Sequence, residues 1–163
     1  MSKRSDIASG DLLVWKKSKF SKTSNFYLNL IRFFTRSEYA HVGVAWRIDG
    51  RLFVVEASQP VVRIVPVKEA DEFYHISMDI AWTEFSENWL LDKVGLKYSI
   101  LDAVRAYLGK TIEDDRRYQC AELANEFYKL HGINLSYAFT PSLLVSEALE
   151  NTFAELNYIK SNE

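Results

Sequence analysis

The chain has 163 residues, of which 48% are hydrophobic and 26% are charged, so it is long enough and apolar enough to form its own core. Its formal net charge of −2 gives no overall attraction to nucleic acid or to an anionic membrane surface. No apolar run approaches the roughly 20 residues that span a bilayer, and the N-terminus has no apolar signal core. We therefore expect a single domain over 1–163 in the cytoplasm, with no nucleic-acid partner and no stable membrane insertion.

Strand signals begin near the N-terminus. Ser9-Gly10-Asp11 is a turn signal, and the apolar run Leu12–Trp15 behind it predicts a short inner strand. Asn25 predicts the start of a helix with an apolar stripe. The basic residues between Lys16 and Arg36 are interpreted as a solvated face beside that helix.

The clearest local structure is a hairpin. Two β-rich runs, Tyr39–Ile48 and Arg51–Ala57, are joined by Asp49-Gly50, a dipeptide typical of a two-residue type I′ turn. This turn fixes the register of the two strands. His41 and Glu56 then become diagonal neighbours on one face, with Cβ atoms roughly 6–8 Å apart.

The two faces of this hairpin differ in bulk. One face carries mostly large apolar side chains and is expected to face a core. The face that carries His41 and Glu56 also carries Gly43 and Ala45, which make it locally shallow. We therefore expect the helix that bears the cysteine to pack over Gly43 and Ala45.

The rest of the chain combines short strands with capped helices. The patterns predict strands over 61–67 and 73–78, helices over 84–94, 100–108 and 120–130, and a last helix from Thr140-Pro141 towards Glu150. Pro66 favours an edge or the end of its strand. No repeat or low-complexity segment divides the chain.

The only cysteine, Cys120, begins an amphipathic helix that ends at His131-Gly132. A thiol in the first turn lies at the positive end of the helix dipole, which favours the thiolate. One cysteine cannot form a disulfide within the chain, which fits a reducing compartment. A lone cysteine on an apolar face is also the pattern of a small buried hydrophobe. The apolar face consists of Cys120, Leu123, Ala124, Phe127 and Tyr128.

Thiol catalysis needs an imidazole and a polar group that orients it, and His41 and Glu56 are candidates for these roles. His131 lies ~16 Å from Cys120 along the helix, and we interpret it as a favourable charge at the helix C-terminus. His75 has no obvious carboxylate partner in register and is interpreted as structural. The histidine spacing fits no zinc site, and no phosphate or dinucleotide motif is present, so we expect no metal and no cofactor.

Four motifs occur in order along the chain: Ser9–Trp15, Tyr39–Ala45, Phe53–Ala57 and Tyr118–Leu123. Together they resemble the circularly permuted NlpC/P60 superfamily, in particular its YiiX/YaeF-like branch of papain-fold proteins. That branch carries a Gly-Asp-apolar strand, a Ser-His-Val-Gly strand, a Val-Ile-Glu-Ala strand and a late Cys-Ser/Ala-Glu-Leu helix. In this chain Tyr39-Ala40 replaces the serine that commonly precedes the histidine, which affects the pocket more than the chemistry.

The resemblance implies an α+β fold of the permuted papain-like type, with an antiparallel sheet packed against helices. It implies that Cys120 is the nucleophile, His41 the base and Glu56 the orienting group. The implied reaction is hydrolysis of an amide or related acyl bond. The implied substrate is a small amide or peptide, with lysine- or diamino-acid-containing peptides as candidates.

Three further residues are candidates for the site. The backbone N–H of Cys120 would meet the oxyanion, and Gln119 and Tyr98 are candidates for a second contribution. Tyr137 lies about where the resembling branch carries a tyrosine of the substrate pocket, and a packing role fits it equally.

Two other functions remain open. A lipid acyltransferase or thioesterase is one, since related permuted folds handle acyl lipids. The sequence Ala121-Glu122-Leu123 after the cysteine differs, however, from the Asn-Cys-Glu-His run of lecithin:retinol acyltransferase-like proteins. The other is an inactive binding module with the same fold, which unenhanced alkylation of Cys120 near neutral pH would favour.

Overall fold

A mainly antiparallel sheet organises the chain in the computed structural model, which describes residues 3–16, 38–98, 117–136 and 140–161. Within these ranges eight strands lie in the order β7-β6-β4-β3-β2-β1-β5-β8, and only β6 and β7 pair in parallel. The strands are β1 (Leu12–Lys16), β2 (Tyr39–Ile48), β3 (Arg51–Ser58), β4 (Val61–Pro66), β5 (Phe73–Ile76), β6 (Lys97–Tyr98), β7 (Arg117–Tyr118) and β8 (Asn157–Ile159).

Three α-helices accompany the sheet in the described ranges: α1 (Glu84–Lys93), α2 (Cys120–Leu130) and α3 (Pro141–Thr152). All three were predicted from caps and periodicity, with ends that differ by one or two residues. The Thr140 hydroxyl accepts a hydrogen bond from the Leu143 N–H at 3.3 Å, which is the cap expected before Pro141. Gly95 and Gly132 follow the ends of α1 and α2 with φ of 89° and 81°.

The predicted hairpin is confirmed. β2 and β3 pair from Ile48 opposite Arg51 to Val44 opposite Val55. Asp49 and Gly50 have φ of 49° and 78°, and a type I′ turn needs positive φ at both central residues. The predicted strands near 61–67 and 73–78 are also present. Two predicted helices, one that starts at Asn25 and one over 100–108, lie outside the described residues. The basic segment from 17 to 36 lies outside them as well.

The expected face for the cysteine helix is wrong. Helix α2 packs on the opposite face of the hairpin, in one core with the large apolar side chains of β1, β2 and β3. Ala45 belongs to a second, smaller core on the other face, and Val54 fills the space above Gly43. Helix α2 packs on the face with the larger side chains because this arrangement buries more apolar area. The larger core includes Leu12, Val14, Val42, Val44, Trp46, Val55, Ala57, Cys120, Leu123, Ala124 and Phe127, and the smaller one includes Ile7, Leu13, Ala45, Val54, Phe73 and Ile159.

The Gly-Asp motif before β1 has a structural role. The buried Asp11 carboxylate accepts hydrogen bonds from the Ala8 N–H at 2.8 Å, the Met78 N–H at 3.1 Å and His75 Nε2 at 2.7 Å. Three donors from two distant parts of the chain therefore converge on one side chain. His75 lies in β5 opposite Leu13, which brings it to the Asp11 end of β1.

Asp11→Ala is expected to lower the free energy of unfolding by about 3 kcal/mol, because it leaves buried donors without an acceptor. Urea unfolding measures the change. Asp92→Ala, at an exposed position of α1, is the matched control and should stay within roughly 0.5 kcal/mol of the wild type. Equal stability of the two variants would contradict this role for Asp11.

Candidate active site

Cys120 is the first residue of α2, and its exposed fraction is only 6%. Gln119 precedes it with an extended backbone, and its carbonyl accepts the first helical hydrogen bond, from the Leu123 N–H at 3.0 Å. The Gln119 N–H donates to the Glu122 carboxylate at 3.2 Å. The Cys120 N–H is thus one of the first-turn amides that have no acceptor within the helix. The sulfur and a potential oxyanion donor come from the same residue.

His41 lies between Cys120 and Glu56. Its Nε2 is 2.5 Å from Oε2 of Glu56. A carboxylate can only accept, so Nε2 donates to Glu56, and the Cys120 thiol lies close enough to the ring to interact with it. The register between β2 and β3 ends at Val44 and Val55, so the strand ends that carry His41 and Glu56 are not paired with each other. Helix α2 packs against both strands of the hairpin.

Arg63 is a member of the site that the sequence analysis missed. Its Nε and Nη2 donate to Oε1 of Glu56 at 2.9 and 2.7 Å. The two residues face each other across β3 and β4. The loop Gln59-Pro60 between these strands has only two residues, so register counting would have paired Glu56 with Arg63. That dipeptide is not a recognised hairpin signal, and the pairing was therefore not apparent.

The charged forms of His41, Glu56 and Arg63 stabilise one another. Burial raises the pKa of Glu56, but the hydrogen bond from His41 and the contacts with Arg63 prevail and hold it below its usual value. Burial also lowers the pKa of His41, yet hydrogen bonds with Cys120 and Glu56 outweigh burial and raise it to about 10. Both shifts favour the charged pair, in which His41 is an imidazolium and Glu56 a carboxylate.

Trp15 is a second neighbour that the sequence did not indicate. It lies in β1 opposite His41, and the two ring centroids are 5.6 Å apart. This separation is typical of packed aromatic pairs, so Trp15 helps to hold the position of the His41 ring.

The other predicted site residues lie in different positions relative to the thiol. Gln119 is buried and is the N-cap of α2. Tyr98 in β6 is opposite Tyr118 of β7, two residues before Cys120 in the chain. Tyr137 lies outside the described residues. The structure thus brings Cys120, His41 and Glu56 together, with Gln119 next to them and Tyr98 on the neighbouring strand.

The structure adds a partner to the structural role expected for His75 and corrects the interpretation of His131. His75 does have a carboxylate partner, because Asp11, which is 64 residues away in sequence, meets it beside β1. His131 is not a favourable charge, since burial lowers its pKa and favours the neutral ring. Its ring packs 4.8 Å from that of Phe127, and its Nε2 lies 3.2 Å from the Ser86 hydroxyl. Neither histidine belongs to the Cys120 site.

Among the described residues, no three His, Cys, Asp or Glu side chains form a group that would hold a metal ion. The described helices also include none with the length and hydropathy needed to cross a bilayer.

The chain matches a known protein in structure but not in sequence. No protein-family model matches the chain, and no curated protein matches it in sequence. The chain is similar to the crystal structure of the metalloprotein YiiX from Escherichia coli O157:H7, a DUF1105 protein, with a TM-score of 0.54 and 16% sequence identity. The match covers 95% of this chain and 89% of YiiX. The chain therefore has the YiiX-like α+β fold that its four sequence motifs indicated.

Proposed function

We propose that this protein is a cysteine hydrolase that cleaves an amide bond through Cys120, His41 and Glu56. One observation carries the proposal: an imidazole hydrogen-bonded to a carboxylate lies beside a thiol at a helix N-terminus. This is the constellation by which thiol acyl-transfer sites are recognised on unrelated folds.

Each residue has a distinct role in the proposed reaction. The Cys120 sulfur, as thiolate, attacks the carbonyl carbon, and the C–N bond breaks as the protonated His41 gives its proton to the leaving amine. The product of this first half of the reaction is a thioester on Cys120. A water then attacks the thioester while His41 accepts a proton from it, which releases the carboxylic acid and regenerates the thiolate. Glu56 orients the ring and stabilises its positive charge.

The oxyanion would be stabilised at the first turn of α2. The Cys120 N–H is a first-turn amide, and the positive end of the helix dipole adds to its effect. The buried Gln119 and the neighbouring Tyr98 are proposed to line this part of the site.

We propose a small amide or peptide as the substrate, and lysine- or diamino-acid-containing peptides as the first class to test. The burial of Cys120 favours a small reacting group over a large folded protein. A thioester or acyl-lipid substrate would use the same nucleophile and the same thioester intermediate.

The test compares the intact protein with Cys120→Ala. Iodoacetamide labelling followed by mass spectrometry should give one adduct at neutral pH, on Cys120, and none in the variant. A peptide and acyl-amide library should be hydrolysed by the intact protein and lose at least about a thousandfold in rate in the variant. Turnover that persists in Cys120→Ala would exclude the mechanism. Acyl transfer from a lipid donor, with no amide hydrolysis, would support the acyltransferase instead.

A further inference from the structure

The two oxygens of the Glu56 carboxylate have separate partners. Oε2 faces His41 at 2.5 Å, and Oε1 accepts both hydrogen bonds from Arg63. Hydrogen bonds that involve two charged groups are stronger than neutral ones, and an arginine fork also restricts the orientation of the group it binds. Arg63 therefore limits rotation of the carboxylate about its last side-chain bond, a torsion that is otherwise broad.

Arg63 also closes this end of the site towards solvent. Its side chain is 45% exposed, whereas that of Glu56 is only 8% exposed. Its Nη2 has a second anchor, the Ser58 hydroxyl at 3.4 Å. The guanidinium thus lies between a nearly buried carboxylate and water, and it replaces the hydration that the carboxylate loses.

We propose that Arg63 is a positioning residue of the site, which holds Oε1 of Glu56 so that Oε2 stays on His41. This inference rests on the proposed function of Cys120, His41 and Glu56. It adds a fourth member to the site, one whose hydrogen bonds go to Glu56 and Ser58 and which acts through Glu56.

The position of Arg63 has a consequence for pH dependence. Burial raises the pKa of Glu56, and contacts with His41 and Arg63 lower it. Loss of Arg63 removes a group that lowers this pKa, so Glu56 would take up a proton at a higher pH than in the wild type. A protonated Glu56 supports the His41 imidazolium less, so reactivity should decline at a higher pH on the acidic side. The described charged groups that face the carboxylate are His41 from β2 and Arg63 from β4.

The experiment measures the rate of Cys120 alkylation by iodoacetamide between pH 4 and 9 in the wild type, Arg63→Gln, Arg63→Lys and Arg51→Gln. Arg51 is an exposed arginine at the turn end of β3 and serves as the matched control. Arg63→Gln should lower the rate at pH 7 by about tenfold, the low end of the effect of a charged hydrogen bond, and move the acidic decline to higher pH. Arg63→Lys keeps the charge without the fork and should fall between wild type and Arg63→Gln. Arg51→Gln should match the wild type.

If Arg63 contributed only to stability, Arg63→Gln would lower the melting temperature. The pH at which Cys120 alkylation declines on the acidic side would then be unchanged in the folded variant, and this result would overturn the inference. A profile of Arg63→Gln identical to the wild type would overturn it as well. Arg63→Lys provides the same test if Arg63→Gln does not fold. These outcomes differ from failure of the proposed function, in which the wild type itself would show no enhanced alkylation of Cys120.

Discussion

Replacing His41 by glutamine is expected to lower the rate of amide hydrolysis by about a hundredfold or more, since general acid–base catalysis by a positioned side chain contributes at least that much. Glutamine can still hydrogen-bond to Glu56, but it cannot give a proton to the leaving amine or take one from water. Alkylation of Cys120 at neutral pH should fall too, because the imidazolium that supports the thiolate is lost. Steady-state hydrolysis and iodoacetamide kinetics measure the two effects.

The pH profile of hydrolysis distinguishes the acid–base role of His41 from a loss of packing in His41→Gln. The raised pKa of His41, about 10, means that the ring carries its proton below that pH and loses it above. Wild-type kcat/KM should therefore show no alkaline decline up to about pH 10 and should fall above that pH. His41→Gln should lack this decline. His131→Gln is the control, since His131 contacts Ser86 and Phe127 and lies outside the site. Full activity in His41→Gln would contradict the assignment.

Gly43→Ala is expected to lower the free energy of unfolding by about 2 kcal/mol, the usual range for extra atoms in a packed core. A Cβ at Gly43 would lie 2.4 Å from Cγ2 of Val54, 3.0 Å from the carbonyl oxygen of Val55 and 3.3 Å from Cβ of Glu56. Part of the strain thus falls on the backbone of β3, which moves less readily than a side chain. The displacement of Glu56 should also slow Cys120 alkylation in the folded variant.

A double-mutant cycle with Val54→Ala tests the source of the Gly43→Ala strain. Val54→Ala removes the nearest contacting atom, so the double variant should lose less stability than the sum of the two single variants. Urea unfolding of the four proteins provides the comparison. Strict additivity would show that the Val54 contact is not the cause of the loss.

Much of the candidate site follows from local sequence rules. The Asp49-Gly50 turn requires positive φ at both residues, and a two-residue turn leaves only one register for the strands it joins. If this register is extended, His41 and Glu56 project from the same face of the hairpin, although strand pairing ends at Val44 and Val55 before it reaches them. Gly132 ends the cysteine helix because its left-handed conformation cannot continue it, and the apolar face of that helix is buried as its periodicity predicts.

Other features depend on contacts between residues far apart in sequence. The strands β6, β7 and β8 have two or three residues each, too few for an alternating pattern to be recognised. The Asp11–His75 pair requires β5 to lie beside β1, which neither segment specifies alone. Arg63 reaches Glu56 only because β4 follows β3 with the observed register.

The sequence by itself determined the hairpin register, the start of the helix at Cys120 and the shared hairpin face of His41 and Glu56. Only the tertiary structure decided which face of the hairpin receives that helix. A turn and a cap depend on backbone conformations within a few residues, so local residue types specify them. The choice of face depends on the apolar area that several distant elements bury together, and the bulky face prevailed over the shallow one. The Cys120 thiol still lies close to the His41 ring, in a part of β2 beyond the residues that pair with β3.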